Sequence, residues 1–228
     1  MRAVTAWLAP DHGGKSREEA ALVFDRGRDY RLLLIPPLFD EANKFRRQLA
    51  EIMYRLDLSG IDCILPDLPG TNESLFKQDD LTLPMLRAAV ESACEHFRVT
   101  HWFSVRNGAL FAPGHLPGWR YAPIAGKNSV RSLLRARSLA SQESGTFETM
   151  TELQDIAANQ GITAAGWSLG SEMYTSLSSK PLPGHDFAID IDHETVGGTP
   201  LWLRAEPDED PEQADALAAV LAIGILGQ

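Results

Sequence analysis

The sequence predicts an α/β protein with a mostly parallel central sheet and helices on both of its faces. Three observations point there. Short apolar runs at residues 20–24, 31–35, 61–65 and 99–105 alternate with amphipathic stretches at 43–58 and 83–97. The run at 31–35 (RLLLI) is too apolar along its length to have a wet face, as suits a strand covered on both sides. The connections between runs have the lengths of parallel strand–helix–strand units. With 228 residues and no internal repeat or low-complexity segment, one domain spanning 1–228 is expected.

Each element has its own signal. Residues 20–24 read as a strand, and 31–35 as a stronger one closed by Pro36 and Pro37. Across 43–58, Phe45, Leu49, Ile52, Met53 and Leu56 recur at helical spacing with charges between them, and Gly60 supplies a C-terminal stop. Residues 61–65 (IDCIL) form the next strand, 67–74 (DLPGTNES) a loop, 83–97 a second helix and 99–105 a strand, with a helical start at 108–111. Beyond Pro113 the pattern loosens. It predicts a strand at 118–124, a basic amphipathic helix at 129–139, a polar break at 141–146 and a helix at 148–160. A strand at 162–166, a short helix at 172–177, strands at 187–191 and 200–203, and a closing helix at 211–226 follow. Residues 178–184 are the most linker-like stretch and are expected to be a loop.

Composition narrows the function classes. The hydrophobic fraction of 44% supports a sizeable core, and the net charge of −10 repels nucleic acid and anionic membrane, so neither is an expected partner. Residues 1–10 lack the apolar stretch of a signal peptide, and no run approaches the about 18 apolar residues of a membrane span. A cytoplasmic protein without membrane insertion is therefore expected. Cys63 and Cys94 share no metal-ligand or redox spacing and are expected to be free, buried thiols in a reducing compartment. No cofactor is implied.

Two segments resemble a known family. The first is IPPLFDEANKFRR at 35–47, continued by LPDLPGTNES at 65–74; the second is WFSVRNGAL at 102–110. In this order and spacing they resemble the α/β-hydrolase-fold proteins associated with exosortase A systems, the second of the two hydrolase groups of that context. The resemblance covers the first half of the chain best, with further similarity at 165–169 (AGWSL) and 200–211 (PLWLRAEPDEDP). It implies an α/β-hydrolase-like sheet, an oxyanion-hole position in the loop after Ile35, and a nucleophile elbow at the turn from Ser104 to Gly108.

Two stretches compete for the role of elbow. Gly166-Trp167-Ser168-Leu169-Gly170 matches G-x-S-x-G, the tight strand-to-helix turn that exposes a nucleophilic serine. Only 58 residues follow Gly170, and the downstream histidines are His185 and His193; neither follows the last predicted strand. An order of Ser168, Asp190 and His193 is available, but a spacing of three within a strand does not suggest acid–base partners. The structural alternative for Ser168 is a serine capping a helix start. The second stretch is Ser104-Val105-Arg106-Asn107-Gly108-Ala109, with small residues two before, two after and three after Arg106. The steric frame of an elbow is present there, but arginine has no lone pair with which to attack a carbonyl. Pro36 and Pro37 have no N–H to offer an oxyanion, leaving Leu38 and Phe39 as donors.

A degenerate hydrolase site is thus expected to hold a small anionic or acyl ligand without cleaving it. Its expected residues are Leu38, Phe39, Glu41, Lys44, Asp67, Arg106 and Asn107, with Arg46 and Arg47 on the same helix as Lys44. Two alternatives stay open. One is a serine esterase or thioesterase using Ser168 and His193. The other is an interaction protein whose pocket is filled by an ion pair of Arg106 with Glu41 or Asp67. The basic run 131–137 reads as a solvated helix face, and Asp186, Asp190, Asp192 and His193 match no recognised metal-ligand pattern. The oligomeric state is not legible.

Overall fold

The computed structural model describes residues 2–227 and every side chain among them except that of His12; Met1 and Gln228, the ends of the expected 1–228 domain, lie outside the described residues. Two long strands come first, β1 (Arg2–Pro10) and β2 (Ser16–Phe24), paired antiparallel in full register from Arg2 opposite Phe24 to Pro10 opposite Ser16. Then follow β3 (Arg31–Ile35), α1 (Asp40–Leu58), β4 (Asp62–Pro66), α2 (Leu83–Phe97), β5 (His101–Val105) and β6 (Gly118–Tyr121). Next come α3 (Gly126–Glu143), α4 (Met150–Gln160), β7 (Ile162–Ala164), β8 (Trp167–Leu169) and α5 (Ser171–Ser179). The chain closes with β9 (Ala188–Ile191), α6 (His193–Val196) and α7 (Pro211–Leu226).

The main sheet has the order β1-β2-β4-β3-β5-β6-β9. Strands β4, β3, β5, β6 and β9 run parallel, and β1 and β2 are antiparallel at one edge. Strand alternation explains why RLLLI must be apolar throughout. Leu33 and Ile35 point into one core layer with α2 to α5, and Leu32 and Leu34 into the other with α1 and α7. Helix α1 buries Phe45, Leu49, Ile52, Met53 and Leu56, the same apolar stripe that its sequence displays. Buried Gln48 ties α1 to the start of α7, donating to the Asp210 carbonyl (3.0 Å) and accepting from the Asp210 N–H (2.8 Å). Helix α4 opens with a capping box, Thr149 and Glu152 each satisfying the other's backbone N–H.

Several expectations need correction. Strand β1 has no counterpart in the sequence reading: buried Trp7 and Ala9 alternate with exposed Ala6 and Leu8, so its apolar residues fall on both faces and the sequence shows no strand alternation. Residues 200–203 are not a strand: Leu201–Leu203 form a 3-10 turn, and β9 is the last strand of the sheet. Residues 162–166 do not extend the main sheet. Strand β7 pairs with β8 in a separate hairpin whose turn, Ala165 (φ 50°) and Gly166 (φ 80°), has two left-handed residues, as tight hairpins require. The stretch after β5 is a 3-10 turn, Arg106–Leu110, and β6 ends at Tyr121, before left-handed Ala122.

Candidate functional site

Strand β5 delivers the chain into Arg106 with φ 55°, a left-handed backbone that costs a non-glycine residue about 1–2 kcal/mol. Ser104, two residues earlier, is fully buried opposite Ile35 of β3, and its Oγ has no partner. Gly108, two residues later, has no room for a side chain: a Cβ there would lie 2.8 Å from the Pro36 carbonyl oxygen and 2.9 Å from that of Ile35. A strained residue flanked by a buried serine and an enforced glycine, at the end of a central strand, has the backbone shape of a nucleophile elbow. The side chain at its apex is arginine.

The guanidinium is held on three sides. Its Nε donates to Glu41 Oε2 at 3.1 Å and its second terminal nitrogen to Glu41 Oε1 at 3.4 Å. The first terminal nitrogen donates to the Ala122 carbonyl at 3.1 Å, and the group lies 4.1 Å from the centre of the Trp202 ring. Three of the five N–H donors of arginine are used, leaving one on each terminal nitrogen. The partner is Glu41 and not Asp67, which accepts from Arg46 and Asn72 (2.9 and 2.8 Å).

The other expected residues divide into two groups. Leu38, Phe39, Glu41, Lys44 and Arg106 line one cavity of about 460 Å³, joined by Trp202. Its charges close on one another, Lys44 on Asp40 (2.9 Å) and Arg106 on Glu41. Asn107 and Asp67 are buried behind the cavity and hold loops. Asn107 Oδ1 accepts from the Leu38 N–H (2.7 Å) and its Nδ2 donates to Ser129 Oγ (2.7 Å), so the amide clamps the front loop to α3. One of the two expected oxyanion donors is thereby spent inside the protein. Phe39 has φ 62°, a second strained residue facing the elbow.

Ser168 and His193 are not brought into partnership. Ser168 lies in β8, outside the residues with left-handed backbone, and its Oγ shares a hydrogen bond with Thr163 Oγ1 at 3.2 Å. Its N–H donates to Gln78 Oε1, and α5 starts at Ser171 without a side-chain cap, so Ser168 does not cap that helix either. His193 opens α6 just past β9. Burial pushes the Tyr121 hydroxyl pKa well up, and this hydroxyl shares a hydrogen bond with His193 Nδ1 at 2.6 Å. His193 Nε2 then faces the Gly198 carbonyl at 3.1 Å, and its ring packs on Trp202 at 5.0 Å. Asp190 pairs with Arg120 at 2.6 Å. Both cysteines are buried and free; burial raises both thiols, Cys94 to about 12, which removes them as nucleophiles. Among the described residues no group of three His, Cys, Asp or Glu is placed to hold a metal, and no helix is long and apolar enough to cross a membrane.

Sequence reasoning missed Trp202. The run PLWL looks like a strand, and only the 3-10 turn at Leu201–Leu203 places the indole over the elbow. Ser129 was visible only as the first residue of a helix, with nothing to link it to Asn107.

No family model and no curated protein matches the chain. Solved structures do. The chain is similar to a candidate hydrolase of Agrobacterium vitis S4, at 14% identity over 99% of each chain with a TM-score of 0.53. It is also similar to the alpha/beta hydrolase GrgF from Penicillium sp. sh18, at 13% identity over 80% of this chain and 74% of that one, with a TM-score of 0.51. A hypothetical protein of Pseudomonas aeruginosa, PA2218, matches at 9% identity over 84% and 77% of the two chains, TM-score 0.51. At such identities the likeness speaks to the fold alone. Together with the sheet order, it defines the chain as a protein of the α/β-hydrolase fold.

Proposed function

We propose that the chain is a catalytically degenerate α/β-hydrolase-fold protein that binds a small acyl or carboxylate ligand above the elbow without cleaving it. Arg106 carries this reading. The position that presents a nucleophile in a working hydrolase presents a cation here, while the strained backbone around it is kept. The cavity is also kept, and about 460 Å³ lies within the range of small-molecule sites, about 300–1,000 Å³. Leu38, Phe39, Leu133 and Trp202 offer apolar wall, and the two spare N–H groups of Arg106 suit a carboxylate. The resemblance of residues 35–47 and 102–110 to the exosortase A-associated group supports an accessory role beside an exopolysaccharide-type system.

The Arg106–Glu41 pair favours a second reading, in which the closed pair holds the front loop to the elbow and the protein acts through its surface. One experiment separates these. The chain is incubated with a fluorophosphonate probe beside a control serine hydrolase, and its thermal unfolding is followed with octanoate and decanoate for the native sequence and Arg106→Ala. The expected result is no labelled serine, and stabilisation by decanoate that Arg106→Ala abolishes. A label on Ser168 that vanishes on denaturation makes the protein a serine hydrolase. Equal or absent decanoate shifts in both proteins leave the second reading.

A further inference from the structure

The helices that cover the sheet carry a groove unrelated to the elbow chemistry. Lys127, Arg131 and Arg135 stand at every fourth position of α3, hence on one face, and at 1.5 Å per residue their backbone positions span about 12 Å. They line a groove of about 730 Å³ whose accessible apolar wall is exposed Leu139 and half-buried Met150, over a floor of buried Val130, Leu134 and Tyr174. Among the described residues no carboxylate lines it, although the chain has 31 acidic residues and a net charge of −10. None of the three cations forms an ion pair with a described residue, whereas Arg137, further along the same helix, is paired with Glu148.

Like charges four residues apart on a helix repel and cost stability. A row of three with no compensation is therefore unfavourable unless a ligand supplies the opposite charge. Two guanidinium forks and an ammonium suit phosphate oxygens, the forks bidentately. The apolar lining has no use for a bare anion and suits a hydrocarbon attached to it. A long polyanion such as nucleic acid is repelled by the rest of the acidic surface. We propose that this groove is a second ligand site, for a soluble organic diphosphate with an apolar chain. The phosphates lie along Lys127, Arg131 and Arg135, and the chain lies on Leu139, the next residue of the same row on α3, and on Met150. Asn128 lines both this groove and the elbow cavity, so the two depressions meet at the first turn of α3. The proposal rests on the groove alone and is independent of what Arg106 holds.

The test is calorimetric titration of the full chain with farnesyl diphosphate, inorganic pyrophosphate and farnesol, repeated for the double variant Arg131→Gln/Arg135→Gln and for Arg106→Ala. Both substituted positions of the double variant are exposed, and its fold is checked by circular dichroism. Saturable binding of farnesyl diphosphate is expected, at least tenfold tighter than either pyrophosphate or farnesol. The double variant is expected to lose at least tenfold in affinity, and Arg106→Ala to lose none. Equal affinity in the double variant, a loss confined to Arg106→Ala, or pyrophosphate binding as tightly as farnesyl diphosphate overturns the proposal. So does flotation with phosphatidic acid vesicles when soluble farnesyl diphosphate fails to bind, since that would make the groove a lipid-surface contact.

Discussion

Arg106 and Glu41 form an ion pair at 3.1 Å that joins the apex of the elbow to the first turn of α1. Both side chains are largely shielded, 12% and 23% exposed, and the guanidinium is sandwiched further by Trp202. Glu41 also sits where a carboxylate is favoured, at the positive end of a helix. The pair therefore fastens the start of α1 to the tight turn that follows β5.

The two halves of this fastening are coupled. Arg106→Ala and Glu41→Gln are each expected to cost about 1–3 kcal/mol, because each leaves a partly buried polar partner unpaired. The double variant is expected to be more stable than the sum of the two by about 1 kcal/mol. Urea unfolding of the four proteins measures this, and strict additivity would remove the pair from the account of the site.

The elbow also makes a steric prediction. Gly108→Ala would push a Cβ against the carbonyl oxygens of Pro36 and Ile35, at 2.8 and 2.9 Å. Both belong to backbone at the end of a central strand, which cannot give way cheaply. A loss of about 1–3 kcal/mol is expected, as for overpacking elsewhere. Gly184→Ala, whose Cβ would meet nothing within 4 Å, is the neutral control. Matching melting temperatures for the two variants would mean that the strand end yields.

Glu19 predicts a dependence on pH. It is buried in β2, and desolvation raises its carboxyl pKa, partly offset by the Ser74 hydroxyl, which donates to it at 2.7 Å. The folded state thus holds this proton to higher pH than the unfolded chain does. The corresponding stability is fully present below the ordinary glutamate value of 4.5 and is lost as pH rises through the higher folded value. Glu19→Gln keeps an acceptor for Ser74 without the charge. It is expected to melt above the native protein at pH 7, with the advantage shrinking toward pH 4. Melting curves across that range decide it, and a variant less stable at pH 7 would show that attraction by Arg17 outweighs burial.

The sequence by itself determined the parallel half of the sheet and the shape of the elbow. Residues 31–35 have to be buried on both faces because neighbouring leucines point opposite ways, and the offsets of Ser104 and Gly108 around Arg106 follow from how closely a sharp turn must pack. These are short-range facts that adjacent residues decide among themselves. Strand β1 escaped because this edge strand leaves Val4 and Leu8 exposed opposite buried Trp7 and Ala9, which erases the alternation of a half-buried strand, and 200–203 misled because an apolar tetrapeptide suits a strand and a 3-10 turn equally. Only the tertiary structure decided that Arg106 pairs with Glu41 while Asp67 goes to Arg46 and Asn72, that Asn107 spends the Leu38 N–H, and that Trp202 covers the guanidinium. The physical reason is range. Several loops converge at the carboxyl ends of the parallel strands and bring together charges that lie far apart in the chain. Which of them meet depends on helix directions and loop paths that local periodicity does not encode.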